Sequence, residues 1–180
     1  MKKLFKVLGC VAFSFLVLLT VGCSEKVAPK TFSGVSGLEI TLTEEFIQKT
    51  DGLSGNISIE NDAFEFTASK EMSLENGDMT FTVLKLDFEE LPEDIQLVGA
   101  QNVSEEWFAE MYTRGMRCNI VNDTENSMVY YTFFGYGYQF VRVIKSNNAF
   151  WICEFNSRTF ESQAAFIDVC ISWTKTIVIK

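Results

Sequence analysis

Residues 127–155 read SMVYYTFFGYGYQFVRVIKSNNAFWICEF, and the fold follows from this stretch. Three runs, Ser127 to Phe134, Tyr138 to Lys145 and Ala149 to Phe155, are rich in β-branched and aromatic residues, which suit a pleated, packed surface. Gly135-Tyr136-Gly137 and Ser146-Asn147-Asn148 separate them, turn residues at hairpin spacing. Arg117 to Val121, followed by Asn122-Asp123-Thr124, adds a fourth strand ahead of them. Along the first run, Val129, Tyr131 and Phe133 alternate with Tyr130, Thr132 and Phe134, so both faces are apolar. A sheet with two apolar faces requires cover on both. The expectation is an antiparallel meander with a layer on each side.

The segments on either side supply candidate layers. From Phe160 to Trp173, a wheel of 100° per residue places Phe160, Ala164, Ile167 and Ile171 on one seam and Phe166, Val169, Cys170 and Trp173 on the next. That arc exceeds half the circumference, which predicts a mostly buried helix. Thr174 to Ile179 returns to strand character. On the other side, Ser104-Glu105-Glu106 has the cap and acids of a helix start, and Phe108, Met111, Tyr112 and Gly115 share one face. Earlier strands are expected at Leu38 to Leu42, Asn56 to Glu60, Ala63 to Ser69 and Met79 to Phe88, with a short helical turn at Thr43 to Ile47 and a turn at Asn76-Gly77-Asp78. The fold class is α+β: an antiparallel β-sheet covered by helices on both faces.

Of 180 residues, 15 are Lys or Arg, 24 are Asp or Glu and none is His, for a net charge of -9. Without the first 22 residues, which hold Lys2, Lys3 and Lys6 and no acid, the charge is 12 minus 24, or -12. An acidic body lacking a basic patch argues against nucleic-acid partners. Without His there is no Ser-His or Cys-His nucleophile pair and no imidazole metal ligand. The remaining 158 residues suit one domain, and 17 Phe, 5 Tyr and 3 Trp can fill a large core.

The chain opens MKKLFKVLGCVAFSFLVLLTVGCS: three lysines, then an apolar run from Leu8 to Val21. At about 14 residues the run is short of the roughly 20 that a stable span needs. Leu19-Thr20-Val21-Gly22-Cys23 resembles the lipobox of bacterial prolipoproteins, with Thr20 in place of the usual Leu. The resemblance implies cleavage after Gly22, a diacylglyceryl thioether on Cys23, and anchoring at the extracytoplasmic face of the cell membrane. Buried acyl chains contribute about 0.8 kcal/mol per methylene. The competing readings are an ordinary cleaved signal peptide and an uncleaved anchor. The expected organisation is a signal peptide at 1–22, a lipidated end and flexible tether at 23–36, and one domain at 37–180.

Gly37-Leu38-Glu39-Ile40-Thr41-Leu42 with Phe46, then Phe150-Trp151-Ile152-Cys153-Glu154-Phe155, then Phe166 to Ile177, occur in an order and spacing that resembles bacterial lipoproteins of the PsbP and Mog1-like group. The resemblance spans about residues 37–179 and implies an α/β/α sandwich. It implies no single function, because relatives include a photosystem II extrinsic subunit, a Ran-binding nuclear protein and many bacterial lipoproteins. It transfers no catalytic, metal or cofactor residue to this chain.

Several local features are candidate sites. Asp87 to Asp94 holds five acids in eight residues; oxygen-ligated cations favour such runs, but EF-hand spacing is absent and a solvated loop stiffened by Pro92 accounts for it. Glu44-Glu45 and Glu105-Glu106 could pair as carboxylates, yet acids belong at helix starts for dipole reasons alone. With Cys23 lipidated, Cys118, Cys153 and Cys170 remain; Cys153 and Cys170 form a candidate disulfide between strand and covering helix, or all three are small buried hydrophobes. Among the hairpin aromatics, Tyr136 between two glycines is the candidate partner contact.

The functional expectation is a surface-anchored, non-enzymatic binding module with no cofactor, attached to the membrane through Cys23, whose partner is an envelope protein or a small ligand. The alternatives are a carboxylate-dependent envelope hydrolase and a small solute-capture lipoprotein. The first test is covalent. Intact mass of membrane-extracted protein should match residues 23–180 plus acyl groups, and Cys23→Ala should release the chain from the membrane. Equal membrane retention of that variant would contradict the assignment.

Overall fold

The computed structural model describes residues 27–60, 65–100, 103, 117–124, 127–134 and 137–180. In chain order the strands are β1 (Lys30–Ser33), β2 (Leu38–Leu42), β3 (Ile47–Gln48), β4 (Asn56–Glu60), β5 (Glu65–Asn76), β6 (Met79–Asp87), β7 (Arg117–Thr124), β8 (Ser127–Phe134), β9 (Gly137–Lys145), β10 (Ala149–Ser157) and β11 (Val178–Ile179). A 3-10 turn (Phe88–Glu90), helix α1 (Glu93–Leu97) and helix α2 (Gln163–Thr174) complete the described elements.

Two antiparallel sheets result. The larger runs β3-β5-β6-β10-β9-β8-β7, with β4 pairing β5 off this path; the smaller is β1-β2-β11. The meander β7 to β10 forms in the expected order, but Asn122-Asp123-Thr124, expected as a turn, continues β7 past a register shift after Ile120 and pairs with Val129, Met128 and Ser127; β6 joins the meander through β10 rather than through its chain neighbour β7.

Strand alternation divides the larger sheet into two packed faces. On one, Phe81 and Val83 of β6, Phe140 of β9 and Trp151, Cys153 and Phe155 of β10 pack with Leu38, Ile40 and Leu42 of β2 and with Phe166, Cys170 and Trp173 of α2. The small sheet and α2 together therefore cover this face. Phe155 stacks on Phe81 at 4.2 Å between centroids and lies 5.5 Å from Trp173. Trp173 meets Phe46 edge-on at 5.7 Å and donates from Nε1 to Thr43 Oγ1 at 3.0 Å. Its polar edge is thus satisfied at the rim while the ring fills the core.

The opposite face collects Leu84, Leu86, Val141, Val143, Phe150 and Ile152 beneath Leu91 and Ala100, with Phe88, Ile95, Val98 and Val103 packed against them. Lys145 fastens this cover. Its Nζ donates to the carbonyls of Gln96 at 2.8 Å and Val98 at 2.7 Å, and sits 5.5 Å from the Phe150 ring centre. The helix expected from Ser104 to Gly115 lies outside the described residues.

Four further expectations change. Residues 30–33, assigned to the tether, form β1: Phe32 is buried and the strand pairs with β2 from Lys30↔Leu42 to Ser33↔Glu39. A single buried position in a polar segment gives too little periodicity to read. Thr43 to Ile47 is a bend leading into β3, not a helical turn. The strand expected to end at Ser69 continues to Asn76 through a bulge between Lys70 and Met72. The residue in that bulge, Glu71, is buried; its carboxylate accepts from Ser36 N at 2.8 Å and Ser69 Oγ at 2.9 Å. Lastly, the apolar arc of α2 is interrupted at one position: Phe166, Cys170 and Trp173 are buried and Ile167, Val169 and Ile171 are half-buried against the same core as expected, but Ala164 is exposed. Its start is set by Ser162, whose side chain accepts from Ala165 N at 3.2 Å.

Trp173→Ala and Phe166→Ala should each destabilise the fold by about 3–5 kcal/mol in chemical denaturation, from lost transfer energy and the cavity left behind. A loss under about 1 kcal/mol would make α2 peripheral.

Candidate functional site

The β5–β6 hairpin turns through Gly77 and Asp78. Gly77 has φ of 54°, a conformation a side chain disfavours. At the same end of the larger sheet, β9 begins at Gly137 and β10 ends at Ser157. A Cβ on Gly137 would stand 2.6 Å from the Ser157 carbonyl oxygen, so only glycine lets β9 start this close to β10.

These three ends frame two adjoining depressions that share a wall of Gly77, Asp78 and Ser157. The first, about 410 Å³, is also lined by Thr80, Gly137, Tyr138, Asn156 and Arg158. The second, about 400 Å³, extends past Asn76 and Met79 to Glu44, Thr159, Phe160 and Glu161. The charges are segregated. Arg158 lines the first depression, Glu44 and Glu161 line the second, and Asp78 borders both. Glu44 is held in place by Asn76, whose Nδ2 donates to Glu44 Oε2 at 2.9 Å. Tyr138 and Phe160, one in each depression, both pack on Phe166, at 5.7 Å and 5.3 Å between centroids. Ser157 is 4% exposed, and among the described residues no side-chain hydrogen bond reaches its hydroxyl.

The chain joins the fold at this same end. Lys30 of β1 pairs with Leu42, and Glu44 follows two residues later, so Lys30 and Glu44 lie within about 13 Å by backbone lengths.

Among the residues singled out from sequence, Cys23, Tyr136 and the pair Glu105-Glu106 lie outside the described residues. Gly137, the neighbour of Tyr136, lines the first depression. Of the pair Glu44-Glu45, only Glu44 joins a depression. The acids of 87–94 are spread along the end of β6, the 3-10 turn and the first turn of α1, with Asp87 paired to Lys85 at 2.6 Å. Among the described residues no group of three or more acidic or Cys side chains is placed to hold a metal ion. Cys153 and Cys170 are both buried, and both are free thiols here. Burial pushes the Cys153 thiol up to about 12, with the Arg142 guanidinium opposing the shift; burial raises Cys170 as well. Neither thiol is therefore a nucleophile at neutral pH.

Sequence reasoning missed Asp78, Ser157 and Arg158 as members of one site. The Asn76-Gly77-Asp78 turn and the glycine at 137 were the available signals. Their meeting depends on strand order, which places β6 beside β10.

No protein-family profile matches this sequence, and neither does any curated protein. Among solved structures, the chain is similar to the solution structure of cyanobacterial PsbP (CyanoP) from Synechocystis, with a TM-score of 0.53 and 10% identity over 89% of this chain and 98% of that one. At that identity the likeness establishes the fold alone: a PsbP-like arrangement of antiparallel sheets with few helices.

Proposed function

We propose that the protein is a non-enzymatic binding module of a bacterial cell envelope, held at the extracytoplasmic face of the membrane by lipid on Cys23, with the paired depressions around Gly77, Asp78 and Ser157 as its contact site. The observation that carries this reading is the position of the depressions at the end where the chain joins the fold. Six residues, 24–29, separate Cys23 from Lys30, which reach at most about 25 Å when extended. A lipid on Cys23 would therefore hold this end close to the bilayer. In the same reading, the layer that Leu91, Ile95, Val98 and Val103 begin over the second face would be completed by the helix expected from the sequence, giving the α/β/α sandwich of PsbP/Mog1-like proteins.

The hydrolase alternative draws on one specific observation, the approach of Glu44, Asp78 and Glu161 to one depression. General-acid catalysis needs a carboxyl kept protonated in an apolar enclosure, and Asp78 and Glu161 stand exposed. The binding reading is preferred on that ground.

A photo-reactive residue placed at Asp78 in the membrane-anchored chain should give a discrete adduct, and the same residue at Glu93, near the other end of β6, should not. Indistinguishable labelling from the two positions would sink the site assignment. Turnover of a glycoside or ester that Glu44→Gln abolishes would replace binding with catalysis.

A further inference from the structure

The second face of the larger sheet changes character along its strands. Around Leu84, Val141, Val143 and Ile152 it is apolar and covered. Toward the Gly77 turn it carries Thr82 and Glu154, then Thr80, Asn156 and Gln139. The last three form one row, because Gln139 pairs with Asn156 and Asn156 with Thr80. Paired residues point to the same face, about 4.8 Å apart from strand to strand. Thr80 and Asn156 are half-buried and line the first depression, whose volume of about 410 Å³ lies within the usual range for small-ligand sites. Gln139 is 6% exposed, and its Oε1 is buried with no hydrogen-bond partner. An unbonded buried amide oxygen destabilises the fold, whereas an apolar side chain of the same size would not. A half-turn of the carboxamide exchanges its oxygen and nitrogen, so either atom can be the one that meets a ligand.

We propose that this row and the first depression bind a neutral oligosaccharide, with Gln139, Asn156 and Thr80 as its hydrogen-bonding partners. The row is uncharged and mixes donors with acceptors: two carboxamides that each offer both, and a hydroxyl that serves as either. Sugar hydroxyls match every member of such a row, because each O–H also donates and accepts. A peptide strand would add at a sheet edge rather than across a face. Asp78 and Arg158, the two charged residues lining this depression, are of opposite sign and favour neither an anion nor a cation. The net charge of -12 on residues 23–180 further disfavours anionic ligands. The inference names a ligand class for the contact site proposed above and rests on that reading for its place in the envelope, whereas the binding itself needs no membrane.

The test uses the full chain purified in a detergent without a sugar headgroup and calorimetric titration with cellotriose, chitotriose and trigalacturonate. At least one of the two neutral trisaccharides should bind, and the anionic one should bind about tenfold or more weakly. Gln139→Met and Asn156→Ala should each weaken the neutral ligand about fivefold or more, and Glu93→Gln should leave it unchanged. Gln139→Met should at the same time raise the thermal midpoint by about 2–4 °C, because it removes an unbonded buried amide. A purely structural role for Gln139 would not move stability and affinity in opposite directions. No binding of either neutral trisaccharide, equal affinity for trigalacturonate, or wild-type affinity in Gln139→Met overturns the proposal. So does a lower midpoint in Gln139→Met, which would mean that the amide is bonded within the fold. Failure of saccharide binding with a discrete adduct still formed from Asp78 strikes this inference alone; saccharide binding without that adduct strikes the reading of the site as the membrane-side contact.

Discussion

The register between β6 and β10 is the constraint on which both core and candidate site depend. Nine consecutive residues of β10, Ala149 to Ser157, pair with Asp87 to Met79 without a break. That register places Phe81 opposite Phe155, allowing their rings to stack beneath Trp173. It also ends with Ser157 opposite Met79, which brings the Gly77-Asp78 turn to the end of β10. On its other edge β10 sets Ser157 opposite Tyr138, so Gly137 arrives at the same place. Because side chains alternate across a strand, a slip of one residue would turn Phe155 and Trp151 out of the core and dismantle the cleft wall together. Packing and site are thus two consequences of one pairing.

The meander and the final helix were legible because their patterns are strong: β-branched and aromatic runs bounded by turn residues, and an apolar arc at helical period. Other features lacked a local signal. β1 contributes a single buried residue, Phe32, and its remaining positions read as linker. Glu71 looks like a strand terminator, yet a bulge and two hydrogen bonds allow it to be buried within β5. The width of the buried face of α2 was overestimated because an apolar residue on a helix such as Ala164 need not face anything. The candidate cleft was illegible for a different reason. Residues 77–78, 137 and 157–158 come from three separate strand ends, and only the crossover that sets β6 beside β10 unites them.

The PsbP-like fold leaves function to be argued from the site. In the proposed account the small sheet has a role beyond covering the core. β1 and β2 deliver Lys30 to the cleft end, so that a short lipidated segment would orient the domain without any further contact. The nine-residue β6 separates the cleft from the acidic 87–94 segment, which in that account would face away from the bilayer.

Orientation is therefore the most direct test of the account. With the chain anchored in bilayers bearing a paramagnetic lipid headgroup, relaxation would be measured at probes placed at Asp78 and at Glu93. The account predicts strong enhancement at Asp78 and weak enhancement at Glu93, because the length of β6, about 30 Å, separates the two ends. Equal enhancement, or the stronger effect at Glu93, would contradict it.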